Sequence, residues 1–226
     1  MKYSFLFFPL LFSSFLFSQM AIVKDKDGWT NLRKSANAHS EIIYKVYENE
    51  VFWLGYNVTD SMLKHQEWIP VLIPKNKFSF HQTLQPYISG FIHRSRLMLL
   101  DELEEYAGND FSFQYFTSPF DSTHKIIDTI NKTCFTRING RPIWGTDGNL
   151  PKTQVDSIAI NLNGTDLHLH HIFYSDIYEC TNNFTIYKSG DIFFVYQYNS
   201  DGAGFYEILW VFNEKGLMQR LIDNVI

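Results

Sequence analysis

The sequence lacks most of the features that mark an enzyme or a nucleic-acid-binding protein. Its 226 residues include 19 Lys and Arg against 24 Asp and Glu, which gives a formal net charge of −5. No excess of positive charge is therefore available to hold a nucleic-acid backbone. The sequence also contains no Gly-x-Ser-x-Gly elbow, no His-Glu-x-x-His pair and no phosphate-cradling glycine loop. We predict no catalytic residues, no cofactor and no nucleic-acid partner.

Cysteine is scarce as well, with Cys134 and Cys180 the only two in the chain. Neither lies in the Asp-Cys-Ser-Gly type of motif found in cell-wall cysteine peptidases, so we do not predict a nucleophile. In an oxidising compartment the two could form a disulfide across their separation of 46 residues. Such a bridge would stabilise the fold by about 4 kcal/mol. Two buried free thiols are the alternative, and the spacing leaves both open.

One long apolar run is present, and it stands at the N-terminus. Residues 1–18 carry a single positive charge at Lys2, followed by a run rich in Phe and Leu. The run has the length of a signal-peptide core and is shorter than the roughly 20 residues that span a bilayer. We predict a signal peptide over residues 1–18, cleaved after Ser18, with an uncleaved anchor as the alternative. No later run approaches spanning length, so we expect no transmembrane segment after signal removal and a periplasmic or secreted protein.

Residues 21–99 have the pattern of an all-β domain. Turn signals such as Asp25-Lys-Asp-Gly28 separate short runs rich in β-branched and aromatic residues. These strand-like runs occur at residues 21–23, 42–46, 51–56, 68–73 and 89–97. Several short strands with regular turns favour a barrel or a sandwich.

The same residues resemble a bacterial SH3-like (SH3b) domain. Asp27-Gly-Trp-Thr-Asn-Leu-Arg33 is similar to the opening strand of that family, Trp68-Ile-Pro-Val71 to its central strand, and Gly90-Phe-Ile-His93 to its closing strand. Loops at residues 57–67 and 75–89 are longer than in the minimal domain. The resemblance implies a small β-barrel that binds or braces and performs no chemistry.

The second half, residues 111–226, is predicted to be a further antiparallel β-rich domain. Residues 155–162 alternate cleanly and lead into Asn163-Gly164, the strongest short signal for a hairpin turn, followed by a return strand at 166–171. A later hairpin over residues 192–212 is apolar on both faces, which favours a sheet that is at least partly covered.

Two features connect this half to the rest of the chain. Residues 97–106 are the most helix-like segment, and we predict a linker over 100–110 with a short helix. Ser118-Pro-Phe120, Trp144-Gly-Thr-Asp-Gly148 and the turn at 199–207 resemble a C-terminal region of exported bacterial proteins of unknown function, some of which also carry an SH3b domain. That resemblance implies an architecture and no activity.

His168 and His170 are weak candidates for a metal site. Residues two apart on a strand share a face, so the two imidazoles could supply two ligands of a metal ion. A third ligand is not fixed by the spacing. An exposed strand face opposite Leu167 and Leu169 is the alternative, and on that basis we predict no metal.

Aromatic and polar side chains of the first half are the candidate ligand-binding residues. Aromatic rings offer flat surfaces for stacking on a peptide or sugar, and amide or guanidinium groups can orient its polar end. The candidates are Trp29, Asn31, Arg33, Trp53 and Tyr56. Trp53 and Trp68 lie within strand runs and have a core role as the alternative. We predict a non-catalytic protein that recognises a cell-wall peptide or glycan or an envelope protein, or alternatively an inhibitor or immunity protein against a secreted toxin or wall hydrolase.

Overall fold

The computed structural model describes residues 19–80, 86–200 and 202–224, so the predicted signal peptide over 1–18 lies outside the described residues. Within these ranges the protein is all-β, as the sequence predicts, with seventeen strands in four antiparallel sheets and one short α-helix. No helix in the described part of the chain is both long enough and apolar enough to cross a membrane.

The first half forms a seven-stranded sheet. Its strands are β1 (Met20–Val23), β2 (Trp29–Arg33), β3 (Ile42–Tyr47), β4 (Val51–Leu54), β5 (Trp68–Pro74), β6 (Tyr87–His93) and β7 (Leu97–Leu99). Helix α1 (Asp60–His65) lies between β4 and β5, with the Thr59 side chain accepting from the Met62 amide at its start. The sheet order is β3-β2-β6-β5-β4-β1-β7. Because β3 and β7 are its terminal strands, the barrel form stays a prediction.

All seven strands contribute side chains to one hydrophobic cluster. Ala21, Leu32, Val46, Ile92 and Leu97 belong to five different strands and are all buried in it. A flat sheet could not bring residues of both terminal strands into one core, so the sheet curls around this cluster.

The second half contains three smaller sheets. Their strands are β8 (Phe111–Pro119), β9 (Ile127–Ile130), β10 (Cys134–Ile138), β11 (Arg141–Pro142), β12 (Thr153–Leu162), β13 (Thr165–Asp166), β14 (Thr185–Ser189), β15 (Ile192–Asn199), β16 (Tyr206–Asn213) and β17 (Gly216–Asp223). The sheet orders are β11-β10-β9, β13-β12-β8 and β14-β15-β16-β17.

The predicted hairpin at Asn163-Gly164 is confirmed, but its return strand is shorter than expected. Both turn residues have positive φ, 53° and 79°, as a type I′ turn requires. Pairing with β12 ends at Asp166, so the strand predicted over 166–171 is wrong. Leu167 and Leu169 pack against the core of this half, and the chain then turns into a 3₁₀ segment at His171–Phe173. The packing of these two leucines against the core is favoured over continued strand pairing, so the hairpin ladder ends early.

The four-stranded sheet is covered on both faces, as the double-sided apolar pattern predicts. Phe193 and Trp210 point into a cluster shared with β8 and β12. Phe194 and Leu209, their neighbours along the same strands, point into a cluster shared with Val51 and other residues of the first half. The two halves are therefore joined by a common core through this sheet.

The segment predicted as a linker contributes to the same common core. Leu100 and Leu103 are buried in the cluster between the halves. Only a 3₁₀ turn forms at Leu100–Glu102, and the following residues pair with β14, where the Tyr106 amide donates to the Ile186 carbonyl at 2.7 Å. These long-range contacts replace the helix expected over 97–106.

Candidate functional site

Three of the predicted ligand-binding residues line one cavity on the outer side of the seven-stranded sheet. Trp29, Asn31 and Arg33 alternate along β2 and so project from the same face. The cavity has a volume of about 380 Å³ and is open to solvent. The end of β6 and the segment after it supply His93, Ser95 and Arg96 to the remaining walls. The other lining residues are Trp68 at the start of β5, Thr30 on β2, Asp27 in the turn before β2, and Ala38 in the loop after β2.

Trp29 is held in place by a cation. Lys45 lies directly across the ladder from Asn31, and its Nζ stands 3.6 Å from the centre of the Trp29 ring. A lysine ammonium over an indole face is favourable by about 0.5–1 kcal/mol at an exposed site. The ring is thus fixed at the rim of the cavity while staying half-buried.

Arg33 is oriented by the loop between β2 and β3. Its Nη1 donates to the Ser40 carbonyl at 2.8 Å. A guanidinium carries five N–H donors in a rigid fork, so this single bond fixes the group and leaves further donors toward the cavity. The sequence places Ser40 seven residues after Arg33, and only the folded loop brings the carbonyl back to it.

The opposite wall combines an arginine, an acidic turn and two rings that pack edge-to-face. Arg96 forms an ion pair with buried Asp25 and lies 3.7 Å from Asp27. Trp68 packs edge-on against His93 with ring centres 5.2 Å apart. Sequence reasoning left Arg96 and His93 out of the site. The closing-strand motif at Gly90–His93 could have drawn attention to His93. The residues around His93 do not indicate that its side chain lies near β2.

Trp53 and Tyr56, the other two candidates, are not part of this cavity. Trp53 is 1% exposed and belongs to the cluster between the halves, so it does not lie on the outer face that carries Trp29. The neighbouring second half covers the face on which it lies, and no residue near Trp53 in the sequence shows this. Tyr56 is 60% exposed, in the turn after β4, and does not line the cavity.

The histidines predicted as weak metal candidates lie in a loop. His168 and His170 are exposed, and His170 Nδ1 accepts from the Ile172 amide at 3.2 Å. Among the described residues no group of three or more His, Cys, Asp or Glu side chains is arranged to hold a metal ion.

The two cysteines are free thiols in the structure. Cys134 is exposed on β10, and Cys180 is half-buried against the core of the second half. Burial raises the pKa of Cys180 to about 12. The two thiols lie in different environments, one facing solvent and one facing the core, so the bridge considered from the sequence is not formed.

No model of a known protein family, no curated protein and no solved structure matches this chain.

Proposed function

We propose that this is an exported, non-catalytic binding protein whose SH3b-like half recognises a peptide of the cell envelope at the Trp29 cavity. The observation that carries the proposal is the convergence of Trp29, Asn31 and Arg33 on one open cavity. The three side chains meet there because alternate residues of β2 project from the same face of the sheet. The second half braces the sheet from behind through the common core.

The charges around the cavity favour a peptide over a plain glycan. Arg33 offers guanidinium donors to a carboxylate, and Asp27 offers an acceptor to an amine. Trp29 and Trp68 supply flat surfaces that can cover an aliphatic side chain. A short peptide carries all three kinds of group, whereas a neutral sugar would leave the Arg33 guanidinium without a carboxylate.

Retention on purified peptidoglycan sacculi tests the proposal, followed by titration with soluble stem peptides. We expect Trp29→Ala to weaken binding at least about tenfold, because aromatic anchors dominate small interfaces. Tyr56→Ala is the matched control, since it removes an exposed aromatic ring outside the cavity. Equal affinity of the wild type and Trp29→Ala would remove the proposed binding face. Binding of glycan strands stripped of peptide would replace the peptide with a sugar ligand.

A protein partner is the second candidate, and the edge of the same sheet favours it. Strand β3 is a terminal strand, and its Ile42 and Tyr47 side chains are each 53% exposed. An exposed edge with apolar side chains is a surface to which another protein can add a strand. An inhibitor or immunity protein would use it. Capture of one protein at a one-to-one ratio, lost in Tyr47→Lys and kept in Trp29→Ala, would establish this function in place of the first.

A further inference from the structure

A second cavity lies at the junction of the two halves and is separate from the Trp29 cavity. Its volume is about 380 Å³. The first half contributes Trp53 and the segment from Pro74 to Phe80, and the second half contributes Trp144 and the end of β17. Among the described residues, none lines both cavities.

Backbone hydrogen bonds fix the walls of this junction cavity. The Ser79 amide donates to the Arg220 carbonyl at 2.9 Å, and the Arg220 amide donates to the Lys77 carbonyl at 2.9 Å. Phe78 thereby forms a parallel bridge to Arg220 and extends the edge of the four-stranded sheet. Residues 77–79, in the loop that is longer than in a minimal SH3b domain, thus pair with the second half.

Five aromatic rings line the junction cavity: Trp53, Phe78, Phe80, Tyr87 and Trp144. Trp53 and Tyr87 pack edge-to-face with centres 5.4 Å apart. Arg141 lies 4.9 Å from the centre of the Phe80 ring and braces it. Such rings offer faces that stack on the apolar face of a flat ligand.

Two buried donors at this cavity, the indole N–H groups of Trp53 and Trp144, have no hydrogen-bond acceptor within the described residues. Trp144 is 5% exposed, and its indole Nε1 finds no hydrogen-bond acceptor within the described residues. Buried indole N–H groups normally donate a hydrogen bond, because a buried donor without an acceptor costs free energy. A ligand that fills the cavity with an acceptor oxygen next to Trp144 would satisfy it.

The charges of the wall are balanced. Lys77 is the one cation and Asp223 the one anion among the described lining residues. Asp223 is already engaged by the hydroxyl of Tyr87. The wall therefore presents no fixed, unpaired charge to a phosphate or to a free amine. The cavity favours an uncharged ligand.

We propose that the junction cavity binds an uncharged sugar of one or two rings. A pyranose has an apolar face for the aromatic walls and acceptor oxygens for the Trp144 N–H, and it carries no charge. A volume near 380 Å³ lies at the small end of ligand sites, which fits one or two rings. This site goes beyond the proposed peptide recognition and does not depend on it.

The test uses the exported chain, labelled with ¹⁵N, and three probes: cellobiose, maltose and N,N′-diacetylchitobiose. The chain has five tryptophans, so the indole N–H resonances can be assigned one by one with Trp→Phe variants. We expect at least one sugar to bind with millimolar affinity and to shift the Trp144 indole resonance while leaving that of Trp29 unchanged.

Two variants then separate the sites. Trp144→Phe keeps a ring and removes the N–H, so sugar affinity should fall about fivefold, the effect of one neutral hydrogen bond. Trp29→Ala should leave sugar affinity unchanged while it weakens peptide binding. The proposal is overturned if none of the sugars binds, if the shift appears at Trp29 or Trp68 instead of Trp144, or if a long-chain alcohol binds in the cavity and sugars do not. If Trp144→Phe does not fold, the shift of the Trp144 indole resonance in the wild-type protein still tests whether the sugar binds in this cavity.

Discussion

Trp29 and Trp53 are both ligand-binding candidates in the sequence, yet the structure places them on opposite faces of the seven-stranded sheet. Trp29 lies on the outer face of the seven-stranded sheet, beside Lys45 and an open cavity. Trp53 lies on the face that meets the second half, where the Glu207 side chain is also buried. One sheet therefore presents one aromatic ring to an open cavity on its outer side and another aromatic ring to the second half on its inner side. The two tryptophans differ in what lies against their faces of the sheet, and those elements are distant from them in the sequence.

Truncating both rings gives the largest expected difference. Trp53→Ala should lower the free energy of unfolding by about 3–5 kcal/mol, because it removes a fully buried aromatic ring from the cluster between the halves. Trp29→Ala should lower it by less than about 1 kcal/mol, since that ring is half-buried and its loss leaves no internal cavity. Urea denaturation followed by circular dichroism measures both. Similar losses for the two variants would show that the faces are not distinguished in this way.

The sequence predicts the strands well because their alternation is a local property. The turn at Asn163-Gly164 and the double-sided burial of β15 and β16 follow from residue order alone. The Trp29, Asn31 and Arg33 cluster follows for the same reason, since a strand sends alternate residues to one face.

What the sequence does not predict depends on contacts between distant elements. Trp53 is buried by β-strands that begin about 140 residues later, and Arg96 reaches the cavity through a pairing of β1 with β7. Alternation divides residues between two faces but does not indicate which face a second sheet will cover. The same reasoning explains why His170 was expected on a strand, when burial of Leu167 and Leu169 ends the ladder before it.

The stability of the buried face should also depend on pH. Burial raises the pKa of Glu207 to about 7, although the hydrogen bond from Tyr196 and the nearby indole of Trp53 lower it and Asp223 raises it further. The folded protein thus holds this proton more tightly than the unfolded chain. The stabilising contribution is complete below the ordinary carboxyl range and is lost as the pH rises toward 7, by about 3 kcal/mol in total.

Glu207→Gln isolates this effect, because the amide is neutral at every pH in the range. The free energy of unfolding of the wild type, minus that of the variant, should fall between about pH 4.5 and 7. Other carboxyl groups, including Asp176 and Asp223, contribute to both proteins and cancel in the difference. A difference that stays constant over this range would mean that Glu207 is not buried between the halves.

A single side chain clamps the two halves together and allows a smaller, more local test. The Gln219 carboxamide accepts from the Val51 amide at 3.0 Å and donates to the Val51 carbonyl at 2.8 Å. Gln219→Ala leaves both backbone groups without partners, so we expect a loss of about 2 kcal/mol in unfolding experiments. Gln114→Ala is the control, since Gln114 is exposed on β8. Equal stability of the two variants would contradict a clamp at this position.

The smallest effect belongs to the outer face and concerns Lys45. Lys45→Met removes the ammonium over the Trp29 ring but keeps an aliphatic chain, so stability should change by no more than about 1 kcal/mol. The fluorescence of Trp29, read in a variant whose other four tryptophans are Phe, should nevertheless shift, because the charge 3.6 Å from its ring is gone. Peptide affinity should fall less than in Trp29→Ala, since the ring remains and only its fixed orientation is lost. If Lys45→Met weakens binding as much as Trp29→Ala, the ammonium itself contacts the ligand, and the recognised group on the peptide is a carboxylate and not an aliphatic side chain.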